Sequence, residues 1–470
     1  MLSRGLLNVE SVFALAMVAG LALRAQRAEP AKRRLDRRDA LLLATIPALI
    51  AILFWRSANF GFLSDDFVLL KLAGAFARNY RGVFTEGGGD GFFRPLTYIS
   101  LAWTAPWAGT NPAAWHGVGL ALHMLSSVVV FALAGWLGFS RGAAWFAAAL
   151  FAVHGATPEA VVWMAGRFDL LAGLFTLVSL AAFVRAWAGG CWWWIVAMIA
   201  AGLGMLSKES AYALPLMVAV FAVAQPADWA RRIRFVAPVT MLAAVLFAYR
   251  WTRLGGIGGY LTAAGQPQAL SLSWLAVAKA LVWRMWAVLF FPVDWAWTPG
   301  MWMAAAALVY VAAWAAVVWR ARPNRKLLLM ALGFTLAAAL PPVQQLLIGA
   351  DLEKARLLYF PSVGFCLLAA AAVDGAGPKL KVAAMAAMLL FQAAALEHNL
   401  GAWEYASAKA ATVCEAAAAC PNPPSGVPRT LHGVYFFANG LPECAAMHGQ
   451  AGAPVRACSL RWDGEREELK

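Results

Sequence analysis

The sequence predicts an all-α, polytopic membrane protein, and three observations predict it. The 470 residues are 62% hydrophobic and only 13% charged, roughly half the charge of a soluble chain. Apolar runs near the length needed to cross hydrocarbon, about 20 residues, recur along the chain. The basic residues collect in short loops between those runs, as cytoplasmic loops do. The net charge of +14 is therefore a membrane-orientation signal and does not point to nucleic acid.

The apolar runs are 6–23, 40–56, 113–138, 141–153, 160–188, 192–206, 210–225, 235–251, 274–291, 298–319, 327–345, 357–373 and 380–397. The first lacks a strongly basic start, carries Glu10 and has no clean cleavage site before Arg24, so it reads as a short helix and not a signal peptide. Arg24 to Arg38 holds seven Lys/Arg and marks a cytoplasmic loop. Arg231, Arg232 and Arg234, then Arg320 to Lys326, then Lys379 and Lys381 mark others. These marks agree only if 274–291, with Lys279, Arg284 and three Trp, lies along the interface. The expectation is about eleven spans with that one interfacial helix.

This topology divides the chain into an N-terminal helix and basic loop (1–39), a membrane domain (40–397) and a tail (398–470). The loop 57–112, the turns 154–159 and 207–209, the segments 252–297 and 346–356, and the tail all fall on the non-cytoplasmic side. Cys414, Cys420, Cys444 and Cys458 lie in the tail and suit two disulfides in an oxidising compartment, with three connectivities open. In the same tail Pro421, Pro423, Pro424 and Pro428 read as a loop and Leu431 to Phe437 as a short strand.

Charges at the edges of apolar runs are the informative residues, because burying them is expensive. Asp65 and Asp66 follow the second run. Adjacent acids there suit a general base or a metal, and they equally suit a helix start capped by Ser64. No third ligand is evident, so no metal is expected, and a divalent cation is the one cofactor the acids suit. Arg94 either holds a phosphate or snorkels from a surface helix within Phe93 to Trp107. His116 and His123 share a helix face and read as core residues.

His154, Glu159, Arg167 and Asp169 put four ionisable groups at one membrane edge, where they need a ligand or one another. Lys208 with Glu209, and Arg356 after Asp351, add cations suited to phosphate. Neither GxxxxGKS/T nor GxGxxG is present, which leaves a nucleotide-sugar or ATP site unsupported.

In order, Asp65-Asp66, Arg94-Pro95-Leu96, Asn111-Pro112 with His116 and His123, Glu159 to Asp169, Ser207-Lys208-Glu209, and Arg356 with Leu358 to Gly364 resemble a known family. The chain resembles the C-type (GT-C) membrane glycosyltransferases, nearest bacterial relatives of the transmembrane and tetratricopeptide-repeat O-mannosyltransferases. The resemblance covers roughly 60 to 365.

It implies a GT-C-like bundle with interfacial helices in the first outer loop and a small periplasmic tail domain. It also implies a polyprenyl-phosphate-linked sugar donor, inversion at the sugar carbon, and an acid base in the first outer loop, Asp65 before Asp66. Arg94, His154, Glu159, Arg167, Asp169, Lys208, Glu209, Arg356 and Tyr359 become donor-phosphate or substrate residues. The acceptor is a periplasmic glycan or protein, and the location a bacterial inner membrane.

The chain departs from the family in having His154-Gly155 where His-Pro is usual, and in having a short cysteine-bearing tail where a repeat array follows. The competing readings are a transporter or flippase of lipid-linked sugars and a non-catalytic scaffold. A transporter favours internal symmetry and midplane charge; here no repeat is evident and the charges sit at run ends.

Overall fold

The computed structural model describes the chain except residues 1, 27–35, 86–90, 262–264, 266, 269–272, 421, 423 and 450–458. It is an almost wholly helical bundle. Among the described residues, five helices are long and apolar enough to cross a membrane: Pro112–Leu137, Met164–Trp187, Trp229–Leu254, Met301–Arg320 and Pro378–Ala418. Shorter apolar helices, Arg141–Ala152, Cys191–Ser207, Glu209–Val223 and Pro361–Asp374, fill the spaces between them. Burial follows position in the bundle. Arg167–Trp187 and Pro361–Asp374 are buried along most of their length, whereas Trp229–Leu254 is mostly exposed. An outward apolar face is what hydrocarbon as solvent permits.

The helix starts follow local chemistry. Asn111 accepts from Ala113 N ahead of Pro112, and Ser140 and Asn324 cap the helices that follow them. Ser64 does otherwise. Its backbone lies at φ 47° and its side chain makes no cap bond. Asp66, inside the first turn, instead reaches back and accepts from Leu63 N at 3.1 Å, which ties the preceding residue to the helix start.

The segment 57–112 carries two longer helices packed on each other, Asp65–Arg78 and Pro95–Ala108, with the short Gly82–Thr85 between them. Pro95–Ala108 buries Tyr98, Leu101 and Ala102 and exposes Trp103 and Trp107, the disposition of an interfacial helix.

The segment 274–291 divides. Trp274–Ala278 is exposed, a π turn spans Lys279–Arg284, and Met285–Phe290 is fully buried against the first helix. Residues 285–290 have no polar face, so they enter the core and do not lie flat as expected. The last long helix likewise runs through residue 398 without a break to Ala418. The expected tail strand is a two-residue hairpin, Thr430–Leu431 against Val434–Tyr435. Cys414 and Cys444 form a disulfide and Cys420 is also disulfide-bonded; Cys458 lies outside the described residues.

Candidate active site

Helix ends meet at one end of the bundle and enclose a cavity of about 740 Å³. Asp65 opens its helix and Arg94 sits at the N-cap of Pro95–Ala108. Asp169 lies in the first turn of Arg167–Trp187, and Lys208 caps Cys191–Ser207. Arg250 lies in the last turns of Trp229–Leu254 and Arg356 in a 3-10 turn, Ala355–Leu358. All six line the cavity together with Glu209. Chain ends of apolar helices are where ionisable groups can reach both water and hydrocarbon.

The charges interlock. Lys208 Nζ donates to both Asp169 oxygens, at 2.6 and 2.7 Å. Arg356 donates through its guanidinium and its backbone N–H to Glu159, and its Nε lies 4.0 Å from Asp169. Arg94 donates twice to Glu209 Oε2, at 3.0 and 2.7 Å, and Arg250 once to Oε1 at 3.4 Å. Arg94 also lies over Phe92, 4.0 Å from the ring centre, and Arg356 over Trp163 at 4.9 Å.

Four cations thus face three carboxylates, an excess of one positive charge before Asp65 is counted. Burial works to lower the Arg356 pKa, but Glu159 and then Asp169 outweigh it and hold the guanidinium above its ordinary range. Burial lowers the Lys208 ammonium against the pull of Asp169.

The cavity gathers Asp65, Arg94, Asp169, Lys208, Glu209 and Arg356 from the expected set. The other five lie behind its wall. Asp66 is 1% exposed; burial raises its carboxyl well above the usual range, against bonds from the N–H groups of Leu63 and Ala165. Glu159 does not line the cavity and is bonded by Arg356, which does. Arg167 donates to Thr104 Oγ1 at 2.9 Å and lies over Trp115. Tyr359 bonds the ring of His123 at 3.0 Å within the core.

His154 is fully buried, and burial lowers its pKa to about 4. Its Nδ1 accepts from Ala156 N, so Nε2 carries the proton and donates to Leu289 O. His154 is therefore a neutral brace between its own turn and the helix Met285–Phe290. The Gly that follows it has a physical reason. Gly155 N donates to Gln392, and a Cβ there would stand 2.8 Å from Pro292 and 2.9 Å from Ala395.

Among the cavity residues that escape a reading of the sequence, Arg250 and Asn439 matter most. Arg250 sits inside the end of an apolar run, a position that itself signals a site. Asn439 comes from the tail and, as a neutral polar residue, carries no comparable signal.

Residues 108–251 match the family described as dolichyl-phosphate-mannose-protein mannosyltransferase. That stretch supplies Asp169, Lys208, Glu209 and Arg250 of the cavity. The chain is 29% identical over 204 residues to protein O-mannosyl-transferase Tmtc1 of Drosophila melanogaster, covering 41% of this chain and 24% of that protein. It is 28% identical over 236 residues to Tmtc2 of the same organism, covering 46% and 25%. With human TMTC1 it shares 35% over 100 residues, 21% and 11% of the two chains. The chain thus spans a quarter or less of these relatives' length. By its helical membrane fold and by these matches, the chain resembles the C-type membrane glycosyltransferases through the protein O-mannosyltransferases.

Proposed function

We propose that the chain is a membrane glycosyltransferase that moves a sugar, with inversion, from a polyprenyl-phosphate donor to an acceptor hydroxyl. The observation that carries this reading is that one cavity at the ends of apolar helices is lined both by Asp65 and by the cations Arg94, Lys208, Arg250 and Arg356. Asp65 takes the acceptor's proton as the hydroxyl oxygen bonds to the sugar carbon. The bond from that carbon to the phosphate oxygen breaks, and the lipid phosphate leaves with the electron pair. As Asp65 is neutralised by that proton, the four cations are left with one charge in excess, which stabilises the charge growing on the phosphate. The lipid tail stays in hydrocarbon throughout.

The names of the relatives favour mannose as the sugar and a protein as the acceptor, with a periplasmic glycan the other acceptor the cavity suits. The tail disulfides support a reading in which the tail and the cavity it borders face an oxidising compartment, for a bacterial chain the periplasmic side of the inner membrane. Asp66 is too deeply buried to meet an acceptor and supports the turn that presents Asp65.

Purified chain in lipid nanodiscs, given undecaprenyl-phosphate mannose and a cell-envelope acceptor extract, tests this. Asp65→Asn should lower transfer by roughly 10²- to 10⁴-fold, the scale of a general base, with the melting midpoint preserved. Wild-type transfer in that variant would remove Asp65 as the base.

A further inference from the structure

The tail closes on the Asp65 turn. Asn439 Nδ2 donates to Asp65 Oδ1 at 2.7 Å, and both residues line the cavity. Asn439 N donates to Ser64 Oγ at 3.3 Å, and Ser64 N donates to Phe436 O at 3.0 Å. Phe437 stacks on Phe67 with ring centres 6.2 Å apart, and Glu443 meets Lys71 at 3.4 Å. Gly440, at φ +81°, lets the tail approach so closely: a Cβ there would stand 2.3 Å from Ser64 O. The helix that follows, Leu441–His448, is tied by Cys444 to Cys414 near the end of the last long helix.

We propose that Asn439 is the positioning residue for the Asp65 carboxylate, and that the disulfide-tethered tail is thereby part of the active site. This rests on the reading of Asp65 as the base. An amide N–H on a carboxylate oxygen is a charge-assisted bond that fixes the group's orientation. Asn439 occupies Oδ1, and the acceptor proton passes to Oδ2. Reacting atoms displaced by about 1 Å cost on the order of 10²-fold in rate, so a tether on this one carboxylate acts on kcat and leaves donor binding, made by the cations, in place.

The test uses the full chain in nanodiscs with undecaprenyl-phosphate mannose as the varied substrate. Asn439→Ala should lower kcat roughly tenfold or more, with the donor KM within about twofold. Asn439→Leu keeps the branched shape without the N–H and without a new charge, and should show the same loss, which separates positioning from packing. Asn439→Gln keeps an amide donor and should recover part of the rate.

A kcat near wild type in Asn439→Ala overturns the proposal. So does a loss that Asn439→Gln shares in full and that tracks a fallen melting midpoint. Asp65→Asn is run alongside. If it is inactive while Asn439→Ala is wild type, only the positioning role fails. If Asp65→Asn itself transfers normally, the base assignment fails and takes this role with it.

Discussion

Lys208 holds both oxygens of Asp169 within 2.7 Å, and both side chains are at least nine-tenths buried. A buried pair of this kind gains little net stability, because desolving two charges offsets their attraction. Removing one partner is different, since the other is left charged and alone. Asp169→Ala should therefore cost about 3–5 kcal/mol, seen as a lower unfolding midpoint in detergent. The double variant Asp169→Leu/Lys208→Met should recover most of that stability without recovering transfer. A double variant as unstable as the single one would show that the pair is not the cause.

Arg250 and Arg94 share the single carboxylate of Glu209, and the surplus charge suits a phosphate. Arg250→Ala should weaken inhibition by undecaprenyl phosphate roughly tenfold, the scale of one charge-assisted bond. Arg250→Lys should restore only part of it, because an ammonium lacks the planar fork. The inhibition constant measures this directly, and an unchanged constant would exclude Arg250 from anion binding.

Six of the seven charged residues on the cavity were legible beforehand because each belongs to a charged cluster in or beside the apolar runs, where an ion must have a purpose. The exception, Arg250, stands as a lone charge near the end of the run 235–251. His154 and Arg167 lie outside the cavity: a backbone carbonyl takes His154 Nε2, and Thr104 Oγ1 and Trp115 O take the two terminal Arg167 nitrogens, and no local pattern announces such partners. Which carboxylate each cation takes is set by packing between helices far apart in sequence, as with Arg356 and Glu159. The passage of the last helix beyond residue 398 was hidden for a different reason. A fall in hydrophobicity marks where a helix leaves hydrocarbon, and Ala-rich sequence carries the helix on to Ala418.

Asp294 gives the chain a pH dependence of predictable sign. It is 4% exposed in the segment before Met301–Arg320, and its carboxyl is pushed up to about 7. Burial is the main cause; bonds from the N–H groups of Ala296 and Trp297 oppose it and Asp351 adds to it. A carboxyl raised in the folded state contributes stability that is fully present below its unfolded value near 4 and is lost as pH rises through about 7. The amount is on the order of 4 kcal/mol. Asp294→Asn keeps the acceptor for the two backbone donors and cannot ionise. Its unfolding midpoint should match wild type at pH 4 and exceed it at pH 8. Equal pH slopes in the two proteins would assign the dependence elsewhere.

Gly155 stands where the resembled family usually has proline, and the surroundings of this chain exclude one. Proline has no N–H for Gln392, whose side chain accepts from Gly155 at 3.0 Å and donates to Phe290 O at 3.3 Å. Its ring would also enter space already held by Pro292 and Ala395. A lost buried hydrogen bond and an overpacked contact together cost about 2–5 kcal/mol. Gly155→Pro should thus lower the unfolding midpoint sharply, and Gly155→Ala, which keeps the N–H, by less. Because His154 is a neutral brace and not a cavity residue, His154→Gln, which keeps a side-chain donor and acceptor, should retain transfer in proportion to folded protein. Transfer lost from folded His154→Gln protein would return His154 to the substrate site.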